Sequence, residues 1–328
     1  MNETNLTEVT EFTILGFSDL PEMQLLLFLV FLIIYLMSMM GNLLIISTVC
    51  SEPRLQTPMF FFLINLSFLE ICYVTITVPK LLAMLITQYK IISFTQCITQ
   101  MYLFLSCTGT EFYLLTSMAY DRYVAICNPL RYTIIMNRKV CIALAIVSWM
   151  IGFLNPVPHT LILSQSSFCS SNEINHFFCD ITALMALSCS GTSVIEIINY
   201  IAGSLLAFIP FTLTVSSYVY IISAILKIRS AKGRQKAFST CSSHLTVVLL
   251  FYGTTFGVYM RPKSASSMDV NKLLTVVYIT AIPLLNPLIY SLRNKELKGA
   301  LWKASRIVES YVSSRFNKML HAIFGTRP

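Results

Sequence analysis

Two acidic side chains interrupt long apolar stretches of this chain, and buried acids are groups that can bind ions or carry protons. Glu70 is the one charged residue between positions 55 and 79, and Glu111 is the one between positions 91 and 120. An ionised side chain in the middle of a bilayer costs about 3 kcal/mol or more, so acids there are rarely incidental. The pair would either share a proton or be neutralised by a cation.

The expected depth of the two acids supports treating them as a pair. Glu70 follows Pro58 by twelve residues, and Glu111 precedes Arg122 by eleven. At about 1.5 Å per helical residue, these separations are roughly 18 and 16 Å along helices that run in opposite directions. The two carboxyl groups therefore reach a similar depth near the middle of the bilayer.

We hypothesise that Glu70 and Glu111 form a sodium site, with Asn42 and Asn286 in a surrounding polar cluster. The alternative is a buried acid that stays protonated and hydrogen-bonded without an ion. Sodium is the one cofactor that the sequence leads us to consider, and it would be an allosteric ion.

A second charged pair, Asp121 and Arg122, follows an apolar segment and should lie where a helix leaves the lipid. Arginine can stay charged there by bonding the neighbouring carboxylate and nearby carbonyls. Such a pair can be held closed by its partners and released when they move. The simpler alternative is an arginine that snorkels at a helix end.

The sequence contains no catalytic constellation. His244 has Ser242 and Ser243 beside it, but a hydrolase would also need a G-x-S-x-G turn and a third partner. Walker loops, HExxH motifs and CxxC motifs are absent from the sequence as well. We therefore predict that the protein is not an enzyme.

Composition predicts an all-α membrane protein. Hydrophobic residues make up 55% of the chain and charged residues 12%, against about 25% charged in soluble domains. Seven apolar segments approach the roughly 20 residues that a spanning helix needs. We predict an N-terminal segment 1–22, a seven-helix bundle 23–292, and a tail 293–328 with a short amphipathic eighth helix at about 293–306. The predicted spans are about 23–50, 57–86, 94–127, 139–162, 195–228, 236–260 and 270–292.

The distribution of lysine and arginine predicts an extracellular amino terminus and a cytoplasmic tail. In that orientation the outer loops carry only five of these residues: Lys80, Lys90, Arg261, Lys263 and Lys272. The net charge of +8 then faces anionic membrane lipid or a protein partner on the inner side, and not nucleic acid. The sequon at Asn5 lies outside and predicts N-glycosylation.

The ten cysteines divide by compartment. Cys97, Cys169, Cys179 and Cys189 fall on the outer, oxidising side, where four cysteines allow three pairings. The other six should be free thiols that pack as small apolar residues.

Several motifs in order resemble those of rhodopsin-like G-protein-coupled receptors. They are Gly41-Asn42, Asp121-Arg122-Tyr123, Trp149, Pro210 with Tyr218, and Asn286-Pro287-Leu288-Ile289-Tyr290. The segments 58–63, 118–127, 236–244 and 283–294 are more specific, and they resemble vertebrate odorant receptors of the tetrapod type (class II). This likeness spans residues 5–305.

The resemblance implies a plasma-membrane receptor, in the cilia of olfactory sensory neurons, that binds a small volatile odorant. It implies activation of a stimulatory, olfactory-type heterotrimeric G protein and a rise in cyclic AMP. It also implies two disulfides, Cys97–Cys179 and Cys169–Cys189. The implied activation and coupling residues are Asp121, Arg122, Tyr123, Tyr218, Lys236, His244, Asn286, Pro287 and Tyr290.

By helix position, the resemblance implies an odorant pocket in the outer half of the bundle. Its candidate lining is Phe104, Leu105, Thr108, Gly109, Ala202, Gly203, Leu206, Thr255, Phe256, Tyr259, Val276 and Ile279. This mostly apolar lining with a few hydroxyls suits small volatile molecules. Phe104 stands where amine receptors carry an acid, so we do not expect an amine ligand.

Two other functions are consistent with parts of the sequence. One is a rhodopsin-like receptor for a non-odorant ligand, expressed outside the nose. The other is an ion-coupled transporter or channel, in which Glu70, Glu111 and His244 would mark an ion path. Transporters usually show internal repeats, and we find none in the sequence.

Overall fold

The computed structural model describes residues 9–17, 21–168, 172–188, 192–259, 274–293 and 296–303. Within these ranges the chain forms the predicted all-α bundle, to which a small outer sheet is added. We number the long helices α1 (Gln24–Ser51), α2 (Pro58–Thr87), α3 (Phe94–Cys127), α4 (Arg138–Leu154), α5 (Thr192–Leu226), α6 (Ala231–Tyr259) and α7 (Ile282–Arg293).

Five helical stretches in the described residues are long and apolar enough to cross a membrane. They are Gln24–Ser51, Pro58–Thr87, Arg138–Ser164, Gly203–Leu226 and Cys241–Val258. The shorter apolar stretch Leu274–Tyr290 includes most of α7. The chain is therefore built for a lipid environment, as its composition predicts.

Helix α3 is more polar than these five because it lies at the centre of the bundle. It contacts α2, α4, α5 and α6, and more than half of its 34 residues are buried. Serine and threonine hydroxyl groups along α3 donate hydrogen bonds to the backbone carbonyl four residues earlier, as Thr110 does to Ser106 at 2.8 Å. A helix surrounded by other helices does not need a lipid-compatible surface, so its hydropathy is a weak signal.

Helix α3 packs most closely against α4, at two glycines. A Cβ atom added to Gly109 would lie 3.0 Å from the Cα atom of Gly152. One added to Gly152 would lie 2.6 Å from the amide nitrogen of Thr110. The two backbones are therefore in direct contact, and this contact requires glycine.

Several helices depart from regular geometry. Helix α4 ends at Leu154 and continues, after Pro156, as a short helix Val157–Ser164. One π-helical turn, Val277–Ala281, precedes α7. This turn buries Tyr278 and Ile279 in the bundle.

A three-stranded sheet covers the end of the bundle where α3 begins. Its strands are β1 (Glu11–Ile14), β2 (Ile91–Ser93) and β3 (Glu173–Ile174), in the order β2-β1-β3. Strand β1 is antiparallel to β2 and parallel to β3. The disulfide Cys97–Cys179, with Cα atoms 5.3 Å apart, joins α3 to the loop that follows β3.

This pairing is one of the two that the resemblance implies. Cys169 and Cys189, the other expected pair, lie outside the described residues. An isolated antiparallel β-bridge between Phe168 and Ser188 brings the adjoining backbone segments together. The expected glycosylation site Asn5 also lies outside them. The six remaining cysteines are free thiols: Cys50, Cys72, Cys107, Cys127, Cys141 and Cys241.

Residues 296–303 are helical and lie against the bundle, within the expected amphipathic helix. Leu297 is fully buried, whereas Trp302 is exposed. Lys303 donates to Glu52 Oε2 at 3.0 Å, which ties this helix to the end of α1. The tail from residue 304 lies outside the described residues.

Candidate functional site

The ion pair at the end of α3 joins Arg122 to Asp121, and a third side chain, Tyr132, hydrogen-bonds to it. Arg122 donates to Asp121 Oδ2 through Nη2 at 2.6 Å and through Nε at 3.1 Å. Tyr132, from the short helix that follows α3, donates to Asp121 Oδ1 at 2.7 Å. Asp121 is fully buried. Both carboxylate oxygens are thus occupied, and Asp121 fixes the position of the arginine.

Tyr132 remains a hydrogen-bond donor at physiological pH. Burial raises the pKa of its hydroxyl, and the nearby Asp121 carboxylate raises that pKa further. Sequence reasoning did not identify Tyr132 as part of this site. Its position ten residues after Arg122, just past Pro129, offered no signal without the turn that brings it back.

A second contact joins α5 to α6 near the same end of the bundle. The hydroxyl of Tyr218 lies 2.7 Å from His244 Nδ1, and both side chains are buried. An apolar cluster that includes Ala119 of α3, Ile221 of α5 and Cys241 of α6 packs beside them. Beside the tyrosine–histidine bond, α3 and α6 therefore meet through apolar side chains.

The other expected coupling residues are placed around this centre. The ring of Tyr123 lies 5.9 Å from that of Tyr220 on α5, and Lys236 is exposed on α6. Pro287 packs on α1, where a Cβ on Gly41 would lie 3.2 Å from it. Tyr290 is buried in α7. The structure thus brings Asp121 and Arg122 together, and Tyr218 with His244, whereas Lys236 is exposed on the surface.

The two membrane acids are both buried, with 1% of each side chain exposed. Asn286 donates its amide to Glu70 Oε1. Glu70 Oε2, Glu111 Oε1 and Asn286 Oδ1 have no hydrogen-bond donor among the described residues. The two carboxyl groups are close enough to interact electrostatically.

Asn42, which we expected in the same polar cluster, bonds differently. Its amide donates to the carbonyl oxygens of Ser38 at 3.0 Å and Pro283 at 3.1 Å. Asn42 therefore joins α1 to the start of α7, and the hydrogen bond to Glu70 comes from Asn286 instead. Within the described residues, no group of three or more histidine, cysteine or acidic side chains comes together.

The half of the bundle nearest the sheet β2-β1-β3 holds an aromatic cluster around Phe104. The ring of Phe104 lies 5.2 Å from Tyr73, 4.6 Å from Phe178 and 6.2 Å from Tyr278. Tyr73 hydrogen-bonds both Thr108 and Tyr278. Tyr73, Phe178 and Tyr278 were missed by sequence reasoning, which followed helix positions and did not consider α2 or the outer loop.

The remaining candidate lining residues divide between two regions. Ile279 is buried, and Val276 is half-buried on the turn before α7. Phe256 packs against Phe208 and Phe211 of α5, at 5.8 and 5.3 Å. These candidate lining residues therefore form two groups, one around Phe104 and Thr108 and the other between α5 and α6.

Five more of these positions have other surroundings. Thr255 donates to the carbonyl of Phe251 at 2.7 Å. Leu105, Gly203 and Leu206 are half-buried, whereas Gly109 packs on α4, as described above. The side chains of Ala202 and Tyr259 lie outside the described part of the chain.

Comparison with known proteins identifies the family to which this chain belongs. A family model described as olfactory receptor matches residues 31–306. Human olfactory receptor 1F1 is 48% identical over 94% of this chain and 100% of its own length. Mouse olfactory receptors 5G9 and 5AR1 are each 46% identical over 92% of this chain, covering 96% and 98% of theirs. Such relatives are membrane receptors, which confirms the prediction that the protein is not an enzyme. The chain belongs to the olfactory receptor family of rhodopsin-like G-protein-coupled receptors.

Proposed function

We propose that the protein binds small volatile odorants in the outer half of its bundle and activates a stimulatory, olfactory-type G protein, which raises cyclic AMP. In a chain of this family, the buried Asp121–Arg122 pair is the observation that carries the proposal. A charged pair held closed at one end of the central helix is a two-state element that a partner can open. The aromatic cluster at the other end supplies the apolar surface for a volatile ligand.

The proposal places the receptor in the plasma membrane, in olfactory sensory cilia, with the amino terminus outside. Two observations support this orientation. The Cys97–Cys179 disulfide stands at the opposite end of α3 from Arg122, and disulfides form on the oxidising side. The basic segment 227–236, which joins α5 to α6 and includes the first residues of α6, lies at the Arg122 end, where a cytoplasmic excess of lysine and arginine is expected.

The activation step is a change in the contact between α3 and α6. An odorant that contacts Phe104 on α3 and Phe256 on α6 would favour one relative position of these helices. It acts only through its different affinity for the two states. Separation at the inner end exposes Arg122 to the G protein. Leu130, whose side chain is 96% exposed on the turn after α3, would contact the same partner.

The test is cyclic AMP in cells that express the receptor with the olfactory G protein, across a panel of volatile odorants. We expect a dose-dependent rise for at least one odorant. Arg122→Ala should remove the rise while leaving surface expression intact. Arg131→Ala is the matched control, because Arg131 is an exposed arginine on the turn after α3 and takes no part in the hydrogen bonds of Asp121.

Two outcomes would contradict the proposal. A full response from Arg122→Ala at equal surface expression would refute the role of the ion pair. Silence of the surface-expressed wild type to the whole panel would favour a receptor for a non-odorant ligand.

We further propose that Glu70 and Glu111 bind sodium as an allosteric ion. The supporting observation is that three buried oxygens around them lack donors among the described residues, as expected of groups that face a cation. Agonist-stimulated nucleotide exchange on the G protein should shift severalfold between sodium and potassium buffers. Glu111→Gln should remove this difference, whereas Glu11→Gln, an exposed outer acid, should keep it. Equal responses of the wild type in both buffers would exclude the ion site.

A further inference from the structure

The amino-terminal strand β1 is hydrogen-bonded on both edges. On one edge, the amide of Ile14 donates to the carbonyl of Lys90 at 2.9 Å. On the other edge, Thr13 donates to Asn172 at 2.8 Å, and Leu15 donates to Ile174 at 2.9 Å. Successive amides of a strand point in opposite directions, so the two edges alternate along the chain. The strand is thereby inserted between the α2–α3 loop and the loop before α5.

A turn at Gly16 extends this contact beyond the strand. Gly16 has φ +56°, and its amide donates to the carbonyl of His176 at 3.0 Å. The amides of residues 15 and 16 thus both point toward the same loop. A side chain at this position would be strained by the conformation, although no atom lies within 4 Å of an added Cβ.

Side chains anchor the strand to the bundle. Phe12 and Ile14 are almost fully buried. The ring of Phe12 lies 5.2 Å from Phe168 and 6.0 Å from Phe94 at the start of α3. Burial of these apolar side chains stabilises the docked position of the strand. The strand is therefore fixed in place and can in turn hold the loop it pairs with.

The loop that pairs with β1 places the ring of Phe178 against Phe104, a candidate pocket residue. The ring of His176 lies 4.7 Å from that of Phe178, and Phe178 lies 4.6 Å from Phe104. On the carboxyl side of Phe178, the amide of Cys179 donates to Gln100 Oε1 at 3.1 Å, and the disulfide fixes its side chain. On the amino side, the carbonyl groups of Asn172, Ile174 and His176 accept hydrogen bonds from the amides of Thr13, Leu15 and Gly16.

We propose that the amino-terminal strand is a positioning element for odorant recognition: it holds segment 172–178 so that Phe178 covers Phe104. Phe178 is then a residue that contacts the ligand, and Thr13 and Gly16 act through it. This proposal rests on the proposed function, because it assumes that Phe104 lines the odorant pocket. It extends that function to a segment outside the helical bundle.

The test compares Thr13→Pro with Thr13→Val in the full-length receptor. Proline removes the amide that bonds Asn172, whereas valine keeps it and suits a strand. Gly16→Ala is a second variant, which disturbs the turn without a collision. Hydrogen exchange of segment 172–178 is measured by mass spectrometry on receptor in lipid nanodiscs, without ligand. Cyclic AMP is then measured per surface receptor for the odorants that activate the wild type.

We expect Thr13→Pro and Gly16→Ala to accelerate exchange in segment 172–178, whereas Thr13→Val matches the wild type. Effective odorant concentrations should rise about threefold to tenfold, as for loss of a hydrogen bond, and the rank order of odorants should change. Basal cyclic AMP per surface receptor should stay constant, since the inner ion pair is untouched. A purely structural role would lower surface expression without changing the rank order.

Unchanged exchange in Thr13→Pro would overturn the proposal, because the strand would not hold the loop. Faster exchange with an unchanged odorant profile would overturn it as well. A wild type that responds to no odorant would refute the proposed function, and with it the role in recognition. The exchange data would still show separately whether the strand holds the loop.

Discussion

Replacing Gly152 with alanine should remove most of the receptor from the cell surface. The new Cβ would lie 2.6 Å from the amide nitrogen of Thr110 and 2.7 Å from the carbonyl oxygen of Ser106. Both are backbone atoms of α3, so the collision cannot be relieved by a rotamer change. Overpacking of this kind costs about 1–3 kcal/mol and occasionally more, out of a total stability of about 5–15 kcal/mol. Flow cytometry of an epitope-tagged receptor would measure the loss.

The matched control is the same substitution at Gly253 on α6. No atom lies within 4 Å of a Cβ added there, and alanine is favoured over glycine in a helix by about 1 kcal/mol. We therefore expect normal or higher surface expression from Gly253→Ala. Normal expression and thermal stability of Gly152→Ala would show that α3 and α4 do not touch at this glycine.

The sequence contained enough information to predict the bundle and its centre. Long apolar stretches locate most helices directly, because lipid-facing helices such as α1 are apolar all round. Asp121 and Arg122 were adjacent in sequence and at the end of an apolar stretch, so their pairing followed from local geometry. The partners Glu70 and Asn286 were expected in one cluster, and the structure joins them by a hydrogen bond.

Contacts that depend on loops could not be predicted. Strand β1 has four residues, too few for an alternating pattern to be distinguished from chance. Its partners β2 and β3 lie about 80 and 160 positions further along the chain. One sequence feature could have located Phe178. Its neighbour Cys179 was implied to form a disulfide with Cys97, and this bond would place Phe178 near the start of α3. Tyr132 reaches Asp121 only through the turn at Pro129.

Glycine was the residue that sequence reasoning explained least. Gly109 was taken as pocket lining from its helix position, and the structure places it at the contact with α4. A small residue on a central helix can line a cavity or allow another helix to approach closely, and the sequence alone does not distinguish these two roles. The partner glycine at position 152 becomes informative only when the two helices are seen together.

Asp121→Ala should raise basal cyclic AMP in the absence of odorant. The substitution removes both hydrogen bonds that hold Arg122, at 2.6 and 3.1 Å, and the acceptor of Tyr132. Hydrogen bonds to charged groups contribute about 1.5–3 kcal/mol, and each 1.4 kcal/mol is about tenfold in an equilibrium constant. The balance between resting and active states should therefore shift at least about tenfold toward the active one. Tyr132→Phe, which removes one neutral donor, should produce a smaller rise.

Measurement of cyclic AMP per surface receptor separates this effect from changes in expression. The double variant Asp121→Ala with Arg122→Ala should return to background, because the released arginine is the group that acts on the G protein. Background activity in Asp121→Ala itself, at normal surface expression, would mean that the ion pair does not hold the resting state. High activity in the double variant would instead mean that the carboxylate restrains the helices without the arginine. In the first case the restraint would have to come from the other contacts at this end of the bundle, which are the Tyr218–His244 bond between α5 and α6 and the apolar cluster beside it.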